Sequence, residues 1–151
     1  MDEKGVLYII TEGKTDASIL HTLLARDKSK KVYQVPAGGF GNLSSVAKTI
    51  RLMNSPMESK DKILIAFDAD SEDEEVIKNR VGMMRSLTGA DYDKRIGVFC
   101  FVPTIDHYLF GKDYRLAKGD KEEFIKYLQA DLERLRELPE IIRIREFLNK
   151  E

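Results

Sequence analysis

Four short stretches of the chain are apolar at nearly every position: Val6–Ile10, Val32–Val35, Ile63–Phe67 and Gly97–Val102. They are short and rich in β-branched and aromatic residues, and they lack the polar alternation of a half-exposed strand. That pattern predicts strands buried on both faces. Tyr8, Tyr33 and Phe101 fall in strand interiors, where core packing accounts for them. Between these runs the period changes. Apolar residues at 19, 20, 23 and 24 predict a helix from about Asp16, with Thr15 or Asp16 near its N-cap. Asn42 is placed to cap a second helix running through Ile50, which Asn54-Ser55-Pro56 would end. A third runs from about Asp73 to Leu87, its acid-rich first turn suiting the helix dipole. From Lys121, the residues Phe124, Leu128, Leu132, Leu135 and Leu138 recur at helical spacing. Pro139 interrupts, and Ile141–Leu148 forms a last short helix.

Alternating strands and helices predict an α/β fold: about four strands in a mostly parallel sheet, sandwiched by helices, with C-terminal helices added. One domain is expected over residues 1–151, with a core over about 5–110 and a helical extension over about 120–150. In such sheets functional groups gather beyond the carboxyl ends of the strands. The acids fall there. Glu12 follows the first strand, Asp68 and Asp70 follow the third, and Asp106 follows the fourth by a few residues. Asp16 stands one helical turn after Glu12. Carboxylates converging on one edge repel unless something compensates them. Oxygen-only donors point to a hard divalent cation, Mg²⁺ first and Mn²⁺ next. Acids after strands also serve as helix caps, which is the expected role of Asp73, Glu74 and Glu75.

Composition narrows the classes. The 25 basic residues nearly cancel the 26 acidic ones, for a formal charge of −1, so no strongly basic nucleic-acid binder is advertised. Cys100 is the single cysteine, which excludes an internal disulfide and a multi-cysteine zinc site, and its apolar setting predicts a structural thiol. The N-terminal sequence lacks the features of a signal peptide, and no apolar run reaches membrane-spanning length, so a cytoplasmic location and no membrane partner are expected.

Thr11-Glu12-Gly13-Lys14-Thr15-Asp16 after one strand and Asp68-Ala69-Asp70 after another resemble the signature of the Toprim domain, over roughly Val6–Leu109. That family includes topoisomerases, bacterial primases, ribosomal-RNA maturases and OLD-type nucleases. The E-G-K-T-D form is most similar to the OLD-type branch. The resemblance implies a Toprim/Rossmann-like fold, a metal held by Asp68 and Asp70, and a Glu12 that acts as general acid/base or joins the metal. It implies further ligand roles for Asp16 and Asp106. Asp106 lies in Pro103–Leu109, similar to a P…I-E-x-Y-L segment of that branch but with aspartate in place of glutamate. The Gly38-Gly39-Phe40-Gly41-Asn42 loop resembles the glycine-bearing loop after the second Toprim strand. Turn geometry or contact with a substrate backbone would each use such glycines.

The activity so implied is Mg²⁺-dependent phosphoryl transfer on DNA or RNA, as a nuclease. The alternative is a non-catalytic or partner-dependent module, a subunit of a larger complex with a protein partner such as an ATPase, or a homodimer. A complete topoisomerase would need further domains, and a bacterial primase would need zinc-binding cysteines. Haloacid-dehalogenase phosphatases and response-regulator receivers also carry acids at strand ends, but in a different order. Lys14, the Lys112/Arg115/Lys118/Lys121 cluster, His21 and His107 complete the candidates. Solvated or packing roles are the competing explanation for each.

Overall fold

The computed structural model describes residues 5–24, 31–53, 61–111 and 121–150. The expected helix stop at Asn54-Ser55-Pro56 and the cations Lys112, Arg115 and Lys118 lie outside them, as does the Lys121 side chain. The elements run β1 (Val6–Thr11), α1 (Lys14–Leu23), β2 (Lys31–Pro36), α2 (Leu43–Met53), β3 (Lys62–Asp68), α3 (Glu74–Thr88) and β4 (Ile96–Phe101). Then follow α4 (Ile105–Phe110), α5 (Lys121–Ala130), α6 (Leu132–Arg136) and α7 (Pro139–Asn149). All four strands are parallel, in the order β2-β1-β3-β4. The fold is α/β and Rossmann-like, as the alternation of elements predicts.

Pleating divides the strand residues between two cores. Leu7, Ile9, Leu64, Ala66, Phe99 and Phe101 face α1 and α4–α7. Ile10, Ile63, Ile65, Phe67, Ile96 and Val98 face α2 and α3. Leu128, Leu135, Ile141 and Ile144 enter the first core, so the C-terminal helices complete one layer of the sandwich. Each fully buried aliphatic side chain adds roughly 1.5–3 kcal/mol. Two polar ties fix that layer. The Arg136 guanidinium, on α6, donates to the Leu23 carbonyl at the end of α1 at 2.9 Å. The Glu140 N–H donates to the Tyr108 hydroxyl at 2.8 Å, joining α7 to α4.

Several local expectations change. Tyr33 is 41% exposed and stacks on Tyr8, because β2 is an edge strand with four of its six residues exposed and none fully buried. The amphipathic run after Lys121 bends at Asp131 into two helices. Pro139 opens α7 at its first turn, where its missing N–H has no helical partner to lose. Helix α1 starts two residues early, after an extended Gly13 with no side-chain cap. Asn42 is not a cap: it ends a 3₁₀ turn over Phe40–Asn42, and its amide donates back to the Ala37 carbonyl at 3.2 Å. Among the described residues no helix is long and apolar enough to cross a membrane.

Candidate functional site

Strand order locates a crevice before any side chain is considered. From β1 the chain turns outward to β2, then returns past β1 to β3. The connections diverge between β1 and β3, and the space beyond their carboxyl ends is the switch point of an open parallel sheet. Glu12 leaves β1 on one side of it, and Asp68 ends β3 on the other.

The backbone around Glu12 is held from both sides. Thr11 is fully buried and its hydroxyl donates to the Gly13 carbonyl at 2.7 Å. The β1–β2 ladder continues past both strands: Ala37 N–H donates to Thr11 O at 2.8 Å and Gly38 N–H to Glu12 O at 3.0 Å. The chain then turns away through Gly38 and Gly39 at φ +87° and +143°, angles that L side chains rarely adopt. Of the two uses open to this loop, turn geometry is the one these contacts display.

Asp68 is anchored across the sheet. Its Oδ1 accepts the Ile105 N–H at 2.8 Å, at the start of α4. Beyond β3 the chain follows the end of β4, with Ala69 N–H donating to Phe101 O at 2.9 Å and Asp70 N–H to Pro103 O at 2.8 Å. Asp70 is exposed and left-handed, at φ +53°, a conformation aspartate tolerates better than most residues. Asp16 and Asp106 sit in the first turns of α1 and α4.

The electrostatics show that these acids share one field. Glu12 is raised to about 7 by burial, then by repulsion from Asp68 and Asp70; a backbone hydrogen bond from Asp68 and the Arg80 cation pull the other way. Asp16 is also raised to about 7, by burial, then Asp68, Asp106 and Glu12. Burial lifts Asp68 to about 6, opposed by the Ile105 N–H and reinforced by Asp70 and Asp106. Glu12, Asp16 and Asp68 thus each feel the charge of at least two of the other acids. One Glu12 oxygen, Oε1, is buried without a hydrogen-bond partner. Among the described residues no three His, Cys, Asp or Glu side chains stand close enough to hold an ion together.

Arg80, on α3, is a member that sequence reasoning missed. Its guanidinium donates to the Ala69 carbonyl at 2.5 Å, lies over the Phe40 ring and offsets the charge on Glu12. Its spacing carried a signal: Arg80 stands one turn before buried Met84, on the sheet-facing side of α3. Asp73 accepts from Glu75 and Val76 N–H at 2.9 and 3.3 Å, so the later acids of that tract do cap and open α3. Lys14 is exposed. His21 Nδ1 meets the Gln34 amide at 2.6 Å, a packing tie between α1 and β2, and His107 lies in the capped first turn of α4. Burial pushes the half-covered Cys100 thiol up to about 12, which leaves it a poor nucleophile.

No protein-family model matches the chain, and no curated protein matches it in sequence.

Proposed function

We propose that this protein is a Toprim-type, divalent-cation-dependent phosphoryl-transfer enzyme that cuts phosphodiester bonds in nucleic acid. The observation that carries the proposal is the set of Glu12, Asp16 and Asp68 around the switch point, each raised first by burial, Glu12 and Asp16 then by Asp68, and Asp68 then by Asp70 and Asp106. Their donor set fits Mg²⁺ or Mn²⁺. It is all oxygen and includes the unpartnered Glu12 Oε1, and Mg²⁺ takes only one or two protein carboxylates while keeping several waters. Asp68 and Asp70 would hold the ion, with Glu12, Asp16 and Asp106 completing the set. When bound, the ion would polarise the phosphodiester and neutralise the leaving oxyanion.

The chain's own groups supply the rest. Glu12, at about 7, gives and takes a proton near neutral pH, as a general acid/base must. Arg80 limits that rise and keeps the carboxyl in a usable range. Asp68 ties β3 to α4 and so sets Asp106 against Asp16.

The test is cleavage of single-stranded DNA, duplex DNA and RNA with Mg²⁺ or Mn²⁺. Wild type is compared with Glu12→Gln and with the Asp68→Asn/Asp70→Asn pair, and metal binding is followed calorimetrically. Asparagine keeps the left-handed backbone at position 70, so the pair isolates charge. Expected are metal-dependent cleavage by wild type and its loss in both variants. Cleavage that survives both substitutions removes the assigned roles. Metal binding without cleavage leaves a partner-dependent module, a reading that the net charge of −1 favours because unaided affinity for a polyanion is then modest.

A further inference from the structure

A second feature lies at the opposite end of the sheet from the acids. Where β3 and β4 begin, a cavity of about 550 Å³ opens between α3 and α7, within the size range of pockets that take small organic ligands rather than single ions. Ile96, Val98 and Phe99 form its back wall, but each is 5% exposed or less. The side chains on the rim, not the strand, are therefore what a ligand would meet.

That rim is cationic. Lys62 opens β3, Arg85 comes from α3, Lys94 and Arg95 from the turn before β4, and Arg143 and Lys150 from α7 and its end. Glu146 is the acid among the described lining residues. In a chain whose 25 basic residues face 26 acidic ones, such a gathering is a local excess. Part of it is spent. Arg85 pairs with Asp91, and Arg95 with both oxygens of Asp93, while Asp61 also acts on Arg95. Lys62, only 5% exposed, donates to the Phe147 and Lys150 carbonyls at the end of α7.

The rest is open. Arg143 is 64% exposed and meets Glu140 through Nη1 alone, which leaves Nε and Nη2 unused among the described residues. Lys94 and Lys150 are exposed and enter no ion pair among the described residues. Aromatic surface adjoins them: Phe147 is half-buried, with its ring 5.6 Å from that of Phe99, and the Arg143 guanidinium lies over the Phe99 ring. This combination selects the ligand. A single carboxylate would use one cation and little of the space. A phosphomonoester carries close to two negative charges and three strong acceptor oxygens, enough to bridge α7 and the turn before β4. Its organic part would cover Phe147.

We infer that this cavity binds a small organic phosphate, its phosphoryl oxygens meeting Arg143, Lys94 and Lys150 and its organic portion resting against Phe147. The inference does not depend on the carboxylate site.

The probe is phenyl phosphate, titrated to millimolar concentration into the ¹⁵N-labelled full chain at low salt, with EDTA present so that no metal at the acids recruits it. The expected result is saturable shifts at the Gly97, Val98 and Phe147 amides. Phenol lacks the phosphate and inorganic phosphate lacks the ring, and each should bind about tenfold more weakly or worse. Lys94→Gln/Lys150→Gln, at two exposed positions, should weaken the probe about tenfold without moving the thermal midpoint. Glu12→Gln should leave binding unchanged. Competition by adenosine monophosphate and by glycerol phosphate then shows whether a flat or a flexible organic part is preferred. The inference is overturned by no response at those amides, by shifts at Glu12 and Asp68 instead, by phenol or inorganic phosphate binding as well as the probe, or by unchanged affinity in the lysine variant.

Discussion

Replacing Asp68 separates its two jobs. Its Oδ1 accepts the Ile105 N–H at 2.8 Å, and its charge joins the repulsive field at the switch point. Asparagine retains the acceptor and removes the charge; alanine removes both. In metal-free protein Asp68 titrates at about 6 against an ordinary value of 3.8. The folded state therefore binds the proton more tightly than the unfolded chain. Stability from this group is fully present below about 3.8 and is lost as pH rises through about 6. A tenfold change in proton affinity is ~1.4 kcal/mol, so the full shift corresponds to ~3 kcal/mol. More than a third of the group is open to solvent, and screening reduces that to roughly 1–1.5 kcal/mol.

Asp68→Asn should accordingly stabilise metal-free protein at pH 8 by about 1 kcal/mol and leave it nearly unchanged at pH 4. Asp68→Ala gains the same charge relief but orphans the N–H of buried Ile105, a loss of ~1–3 kcal/mol. At pH 4, where no charge is relieved, alanine should therefore be clearly less stable than wild type. Urea unfolding in EDTA at both pH values measures the difference. The reasoning fails if asparagine destabilises at pH 8, or if asparagine and alanine behave alike at both.

Three further outcomes follow from the same geometry. Mg²⁺ should raise the midpoint of thermal unfolding more at pH 8 than at pH 5.5, because binding must displace protons from Glu12 and Asp16, both raised to about 7. Saturation at a hundredfold excess over Kd is worth ~2.7 kcal/mol, and scanning calorimetry with and without EDTA reads it. Arg80→Gln removes a cation that lowers Glu12, so the Glu12 carboxyl should titrate higher still by ¹³C NMR; an unmoved or lower value would refute the contact. Gly97→Ala places a Cβ 2.8 Å from Phe99 and 2.9 Å from Phe147 ring atoms. It should lose about 1–3 kcal/mol by urea unfolding, part of it recovered by Phe147→Leu.

Sequence carried the frame of this molecule well. Runs such as Ile63–Phe67 announce a strand buried on both faces, and its carboxyl end fixes where Asp68 must emerge. The places of Glu12 and Asp68 at the strand ends were therefore legible. What was not legible depended on contacts distant along the chain. The exposure of Tyr33 follows from β2 being an edge, a fact of strand order that no local pattern encodes. Helix α4 is only six residues long, too short for a period, and it is stabilised from outside by Asp68 and by the Thr104 cap. The spacing of Arg80 before Met84 hints that it faces the sheet but not what it meets there. Only the docking of α3 on the sheet directs it to the Ala69 carbonyl.

The way the fold already treats these carboxylates bears on what they await. Helices α1, α3 and α4 all begin at the carboxyl end of the sheet, so three positive dipole ends face the acid-bearing edge. Asp73 takes up two of the free N–H groups of α3, and Thr104 takes up one of α4. Asp68 binds the Ile105 N–H, and Arg80 adds a full charge. Despite all of this, Glu12 and Asp16 remain at about 7 and Asp68 at about 6. Capping alone would not leave such a residue, because a carboxylate that only caps a helix is held at or below its ordinary value by the N–H groups it accepts. Burial is the largest cause at all three, and repulsion from neighbouring acids adds to it. On the proposed function a hard divalent cation would relieve that repulsion, and a fall of Mg²⁺ affinity below pH 7 would be its measurable signature.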